Sequence, residues 1–150
     1  MTFRWRAAFV LAMLCGSAQA ASPTCSAEEA SNARVAVSAA HDWETLYDLF
    51  NRFGHCTAVP VSEAFSQSIG HMLASRWSEL HDLEHFAEAN RGFREFVVEH
   101  IDVTISAADL RRIVDHVETC PGYARPICRE IAARSRYALR VRSSGVREPS

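Results

Sequence analysis

Residues 42–54 read DWETLYDLFNRFG, and this stretch indicates the fold of the chain. Its large apolar side chains recur every three or four residues, which places them on one face of an α-helix. An aspartate that can cap the helix precedes the stripe, and a helix-terminating glycine follows it. The stretch therefore predicts an amphipathic helix whose apolar face is formed by Trp43, Leu46, Tyr47, Phe50 and Phe53.

The same helical period continues on both sides of this helix. Ser26, three residues before a glutamate, forms a capping box that opens a first helix. Pro60 and Ser62 start a third helix, which we expect to break near residues 78–81. After an interruption at residues 90–92, a fifth helix follows, and Ser106 caps a sixth. Pro121 and Gly122 stop the sixth helix, and Pro126 suits the first turn of a seventh.

No segment alternates polar and apolar residues over the length of a strand. The sequence therefore predicts an all-α fold, a compact orthogonal bundle of six or seven short amphipathic helices. A short stack of helical hairpins is the second choice, but the segments are unequal in length and do not repeat at a fixed period.

The first twenty residues follow the pattern of a secretory signal peptide. Arg4 and Arg6 precede the apolar run AAFVLAML at residues 7–14, and small residues lead to an A-x-A site that ends at Ala20. We expect a signal peptide at residues 1–20, a single helical domain at residues 21–139 and a disordered basic tail at residues 140–150. The expected location is the periplasm or the medium, and no membrane span is expected after signal cleavage.

Cleavage at this site removes Cys15 and leaves four cysteines, which an oxidising compartment favours as two disulfides. Cys25 precedes the first helix and Cys56 follows the second, so an antiparallel hairpin of these helices brings the two residues together. Cys120 and Cys128 lie on either side of the Pro-Gly turn. Of the three possible connectivities we expect 25–56 with 120–128. A zinc site built from these cysteines would lack a closely spaced C-x-x-C pair.

Charge is distributed unevenly along the exported part of the chain. Residues 21–120 carry seven arginines and sixteen acids (net −9), whereas residues 121–150 carry seven arginines and two acids (net +5). This asymmetry indicates either a contact surface for an anionic partner or a basic last helix that rests on an acidic body. The chain has no lysine, which excludes mechanisms that use a Schiff-base amine. No nucleic-acid motif is present, and nucleic acid is not an expected partner.

Residues 81–85 read HDLEH, which matches the H-x-x-E-H pattern of inverted zinc proteases. In that pattern His81 and His85 would bind zinc and Glu84 would act as the general base. The same residues also fit the polar face of a short helix whose other face is apolar, and we favour this interpretation. We therefore expect no catalytic residue, no metal and no cofactor. His100 lies on the apolar side of its helix, which predicts a core histidine, whereas His71 and His116 are expected at the surface.

The leading functional hypothesis is a small exported, non-catalytic interaction protein of the bacterial envelope, such as an inhibitor or immunity-type protein. Its partner would be another envelope or secreted protein. The alternatives are a small zinc-dependent hydrolase centred on residues 81–85, and a carrier of a small apolar ligand between the second and third helices. The sequence does not indicate an oligomeric state. The predicted partner surface comprises Asp42, Glu44, Asp48, Glu79, Asp82, Glu84 and Glu88.

Overall fold

The computed structural model describes residues 24–145, and every regular element in this range is helical. Single 3-10 turns precede the fourth and the seventh α-helix, at Trp77–Glu79 and Gly122–Ala124. The prediction of an all-α bundle of short helices is confirmed. The helices are α1 (Ala27–Ser38), α2 (Trp43–Phe53), α3 (Val59–Ser75), α4 (Leu80–Ala89), α5 (Arg91–Glu99), α6 (Ala107–Val117) and α7 (Arg125–Ser144).

Capping side chains fix where four of the helices begin. The Ser26 hydroxyl and the Asp42 carboxylate each accept a hydrogen bond from an amide three residues further on, at 3.1 and 2.7 Å. Asn90 and Ser106 cap α5 and α6 in the same way. Each bond satisfies an amide that has no partner within its own helix. The predicted caps at Ser26, Asp42 and Ser106 are confirmed. The expected interruption at residues 90–92 is shorter, because Asn90 alone separates α4 from α5.

Helix α3 lies in the interior of the bundle. It packs against both α1 and α6, and most of its side chains are buried. Two of them are hydroxyls, which need hydrogen-bond partners when they are buried. Ser66 donates to the Asp102 carboxylate at 2.8 Å, and Ser68 donates to the Val37 carbonyl at 2.7 Å. These bonds tie α3 to α1 and to the segment that precedes α6.

The ends of α3 differ from the sequence prediction. The helix begins at Val59 with Pro60 in its first turn, rather than at Pro60 and Ser62. It ends at Ser75, before the expected break at residues 78–81, because Arg76 leaves the helical conformation at φ −125° and ψ 36°. The chain then tightens into the 3-10 turn that leads to α4.

Helices that are not neighbours in the chain pack together. Helix α1 contacts α3 more extensively than α2, and α3 in turn contacts α6. The backbone of Gly70 in α3 closely approaches Ile105, so that a Cβ added at residue 70 would lie 2.6 Å from Ile105 Cγ2.

Two disulfides join the ends of helices. Cys25, just before α1, is bonded to Cys56, which follows α2, with their Cα atoms 5.1 Å apart. Cys120, just after α6, is bonded to Cys128 in the first turn of α7, with their Cα atoms 6.4 Å apart. Both pairings are those that the sequence favours.

The expected signal peptide at residues 1–20 lies outside the described residues, as does the end of the chain from residue 146. Helix α7 continues through Ser144, past the expected end of the helical domain at residue 139. Arg142 donates hydrogen bonds to the carbonyls of Val103 and Ile105, which holds this last part of α7 against the segment before α6. No helix within residues 24–145 is both long enough and apolar enough to cross a membrane.

Candidate functional site

The H-x-x-E-H pattern lies on α4, a short helix with one buried face. Leu80 and Leu83 are buried on this face, and α4 contacts α2 and α5. His81 and His85 are exposed, and His81 Nε2 lies 3.2 Å from Asp82 Oδ1. The arrangement is that of an amphipathic helix with a solvated polar side.

Within the described range, residues 24–145, no third metal ligand lies beside His81 and His85. Catalytic zinc sites use three protein ligands and keep a fourth position open. Within residues 24–145, the one group of three or more possible ligands is Cys25, Glu29, His55 and Cys56. The two cysteines of this group are joined in a disulfide and offer no thiolate, while Glu29 and His55 pair with each other at 3.4 Å. Neither place therefore has the geometry of a catalytic zinc centre.

The seven predicted partner-binding acids lie on α2, on α4 and on the residues that open these helices. Because α2 and α4 are in contact, the two groups of acids occupy adjacent elements. We call the set the acidic surface: Asp42, Glu44, Asp48, Glu79, Asp82, Glu84 and Glu88.

Three members of the acidic surface already have partners within the chain. Asp42 caps α2, and the hydrogen bond from the Thr45 amide lowers the pKa of its carboxyl. Glu79 accepts a hydrogen bond from Arg76 at 2.7 Å, and Asp82 lies beside His81. These three acids contribute to helix capping and to local ion pairs.

The other four acids, Glu44, Asp48, Glu84 and Glu88, form no ion pair with a described residue. Partial burial, followed by the nearby charge of Glu88, raises the pKa of Glu84. Arg94 offsets only part of this effect, and its own ion pair is with Glu130 of α7 at 2.9 Å. The unpaired acids therefore leave a local excess of negative charge on α2 and α4.

The aromatic side chains of α2 belong to the core. Tyr47 stacks on Phe86 of α4, with ring centroids 4.7 Å apart, and forms a T-shaped pair with Phe93 of α5, with centroids 5.0 Å apart. Phe50 lies 4.9 Å from Phe96. Because α4 and α5 cover these rings, the stripe packs the bundle instead of facing an open groove between α2 and α3.

His100 lies at the end of α5 and is half-buried. Its Nδ1 atom is 2.8 Å from the Phe96 carbonyl oxygen, and its Nε2 atom is 3.5 Å from Ser62 Oγ. Burial lowers the pKa of His100, which favours the neutral imidazole. The residue is the hydrogen-bonded core histidine that its position in the sequence predicts.

One feature that sequence reasoning missed is a cleft of about 450 Å³ beside the second disulfide. It lies between the end of α6 and the first half of α7, and Arg125, Arg129 and Arg136 line it. The charge of the last thirty residues predicted a basic helix but no cleft. The spacing of these arginines could have indicated a shared surface, because intervals of four and seven residues place them on one face of a helix.

Two charged regions thus stand out in the described part of the chain. The acidic surface lies on α2 and α4, and the arginine-lined cleft lies on α7. Both are built on helices whose other sides are buried in the core. No family model matches the chain, and neither a curated protein nor a solved structure matches it.

Proposed function

We propose that this chain is a non-catalytic interaction protein that acts outside the cytoplasm and binds a basic protein through its acidic surface. The observation that carries the proposal is the pair of unpaired acids Glu84 and Glu88, one turn apart on α4. Like charges at this spacing destabilise a helix. A cationic side chain supplied by a partner would relieve the repulsion and could form ion pairs with both carboxylates.

The helices beneath the acidic surface favour a binding role. Helix α4 is fixed by the burial of Leu80 and Leu83, and α2 is fixed at its end by the disulfide of Cys56. Acids on ordered helices lose less conformational entropy on binding than acids on a mobile loop. The acidic surface is therefore preorganised for a partner.

The negative charge also indicates the kind of partner. Exposed acids on adjacent helices attract cationic surfaces and accelerate association, and salt screens this attraction. An inhibitor or immunity-type protein is the specific role that we infer. A toxin or enzyme that acts on anionic envelope material would present the basic surface that α2 and α4 complement.

Two observations support a location outside the cytoplasm. The chain holds two disulfides, which persist in oxidising compartments. Residues 1–20 have the charged, apolar and small-residue segments of a secretory signal. A periplasmic or secreted protein is the simplest account of both.

Affinity capture from the envelope fraction of the producing cell tests this function. The bait is residues 21–150 with both disulfides formed, and the salt concentration is varied. A matched second bait carries Glu44→Gln, Asp48→Asn, Glu84→Gln and Glu88→Gln, which remove charge with little change in shape. We expect the first bait to retain a stoichiometric basic protein at low salt and to release it as salt rises, and the second bait to retain little of it.

Two results would count against the proposal. The first is a bait that retains no protein at low salt. The second is a protein that both baits retain equally, because that protein would bind elsewhere on the chain. Circular dichroism of the two baits, together with a test for free thiols, establishes that both are folded.

A further inference from the structure

We infer that the cleft between α6 and α7 is a binding site for a small ligand that carries more than one phosphate group. The cleft has a volume of about 450 Å³. Small-molecule sites commonly have volumes of about 300–1,000 Å³. This inference concerns a different surface from the proposed function, and an anionic ligand in place of a basic protein. Either proposal can therefore fail without affecting the other.

The arginines of the cleft form a row along α7. Arg125, Arg129 and Arg136 lie within about 40° of one another around the helix, given 3.6 residues per turn. With a rise of 1.5 Å per residue, their Cα atoms extend over about 16 Å along the axis. A ligand with several phosphates can place one of them beside each guanidinium group along this length. The row therefore favours an extended ligand with several anionic groups.

Small and apolar groups form most of the rest of the cleft. Ala132 and Ala133 lie between Arg129 and Arg136 in the sequence, and both line the cleft. Because their side chains end at Cβ, they leave space that a larger residue would fill. Val117 and the disulfide of Cys120 and Cys128 provide further apolar lining. A ligand with an apolar part between or beside its phosphates would be accommodated.

The three arginines are available to a ligand, whereas other arginines of α7 are occupied. Arg134 donates to the carbonyls at the end of α5, at 3.1 and 3.0 Å, and Arg142 donates to the segment before α6. Within residues 24–145, by contrast, Arg125, Arg129 and Arg136 take part in no ion pair.

The acids near α7 do not neutralise this row. Glu130 is the one acid within α7, and it is paired with Arg94 of α5 at 2.9 Å. Glu118 is the one acid that lines the cleft, so three positive charges face a single negative charge. The fork of N–H donors on a guanidinium matches the oxygens of a phosphate, which makes arginine a preferred phosphate ligand. The excess of positive charge and the donor geometry both indicate a multivalent phosphate.

Calorimetric titration with inorganic tripolyphosphate tests the site on residues 21–150. Arg129→Gln removes a central guanidinium and should weaken binding by about tenfold or more, as the loss of a charge-assisted hydrogen bond does. Ala133→Trp changes an exposed residue and fills the cleft without changing charge, so it should abolish binding. Arg140→Gln is the matched control, because Arg140 lies on the same helix outside the cleft lining, over the ring of Tyr137. It should bind tripolyphosphate almost as the unmodified chain does.

A second arm distinguishes a soluble ligand from a lipid headgroup. The chain is mixed with vesicles that contain cardiolipin, whose headgroup carries two phosphates, and with vesicles of phosphatidylcholine as the zwitterionic control. Binding to the anionic vesicles that Ala133→Trp abolishes would identify a phospholipid headgroup as the source of the phosphate. Binding of tripolyphosphate without vesicle binding would identify a soluble ligand. Either result supports the site.

Three results would overturn the inference. In the first, neither tripolyphosphate nor the anionic vesicles bind to the unmodified chain. In the second, the Ala133→Trp and Arg129→Gln variants bind these ligands as tightly as the unmodified chain does, which would place the binding site elsewhere. In the third, Arg140→Gln weakens binding as much as Arg129→Gln, which would show a general effect of charge and no defined site.

Discussion

Glu84 and Glu88 lie four residues apart on α4, and the Glu88 charge adds to partial burial in raising the pKa of Glu84. The pair is unfavourable in the isolated protein, since like charges at this spacing repel. A group whose pKa is raised by folding opposes folding when it is ionised, and this cost disappears as the pH falls below the ordinary value. At neutral pH the pair therefore lowers the stability of the bundle.

Glu88→Gln should relieve this repulsion. We expect the pKa of Glu84 to move toward its ordinary value of 4.5. The free energy of unfolding at neutral pH should rise by about 0.2–0.5 kcal/mol. Urea unfolding and a carboxyl titration by NMR measure the two effects, and Glu63→Gln on the exposed side of α3 is the control. An unchanged Glu84 pKa would show that the two carboxylates do not interact.

Removal of the disulfides should destabilise the bundle unequally. The bonded residues are 31 positions apart in one bridge and 8 apart in the other. Loop-closure entropy then gives losses of about 3.5 kcal/mol for Cys25→Ser/Cys56→Ser and about 2.5 kcal/mol for Cys120→Ser/Cys128→Ser. Urea unfolding of the two double variants measures these values. A larger loss from the shorter loop would contradict the entropic account.

Gly70→Ala should destabilise the contact between α3 and the segment before α6. The added methyl group would lie 2.6 Å from Ile105 Cγ2, so one of the two elements must move. Overpacking of this kind typically costs about 1–3 kcal/mol. A double-mutant cycle with Ile105→Ala, followed by thermal or urea unfolding, isolates the contact. If Gly70→Ala costs as much in the Ile105→Ala background as in the original chain, the close approach is not the cause.

The helices could be predicted from local sequence, because caps and apolar spacing act within a few residues. Ser26, Asp42 and Ser106 form the predicted hydrogen bonds to amides three residues on. The end of α7 could not be predicted in this way. Its last turns are held by Arg142, which contacts carbonyls almost forty residues earlier in the chain.

Side-chain environments that depend on tertiary packing could not be predicted from the sequence either. The expected exposure of His116 is wrong: it is half-buried and stacks on Trp77 at 5.4 Å, with Nε2 3.1 Å from the Ala74 carbonyl oxygen. For the acidic surface, the residue types were evident from the sequence. The sequence did not show which of these acids form ion pairs, because the pairing depends on where Arg76 and Arg94 lie.

Acid should destabilise the protein through His100. Burial lowers the pKa of this histidine from its ordinary value of 6.5 in the folded state. The unfolded chain therefore binds a proton that the folded chain does not, and the stability falls as the pH decreases below about 6.5. The hydrogen bond to the Phe96 carbonyl, and then the carboxylates of Asp102 and Glu99, oppose part of this effect. His100→Gln should flatten the dependence of the unfolding free energy on pH between about 5 and 7.

An NMR titration of the His100 ring provides the independent check on this prediction. The ring should remain neutral at a pH where a free imidazole is already half protonated. A His100 pKa of 6.5 would remove the predicted slope, and a higher pKa would reverse it.

The most direct test of the proposed function is the association rate with the captured basic partner, measured as a function of salt. We compare the unmodified chain, Glu84→Gln/Glu88→Gln and the control Glu63→Gln by stopped flow. The unmodified chain and the control should associate fast at low salt and slow steeply as salt rises, whereas the double variant should associate more slowly with a shallower dependence. Equal rates and equal salt dependence for all three proteins would contradict binding through the acidic surface.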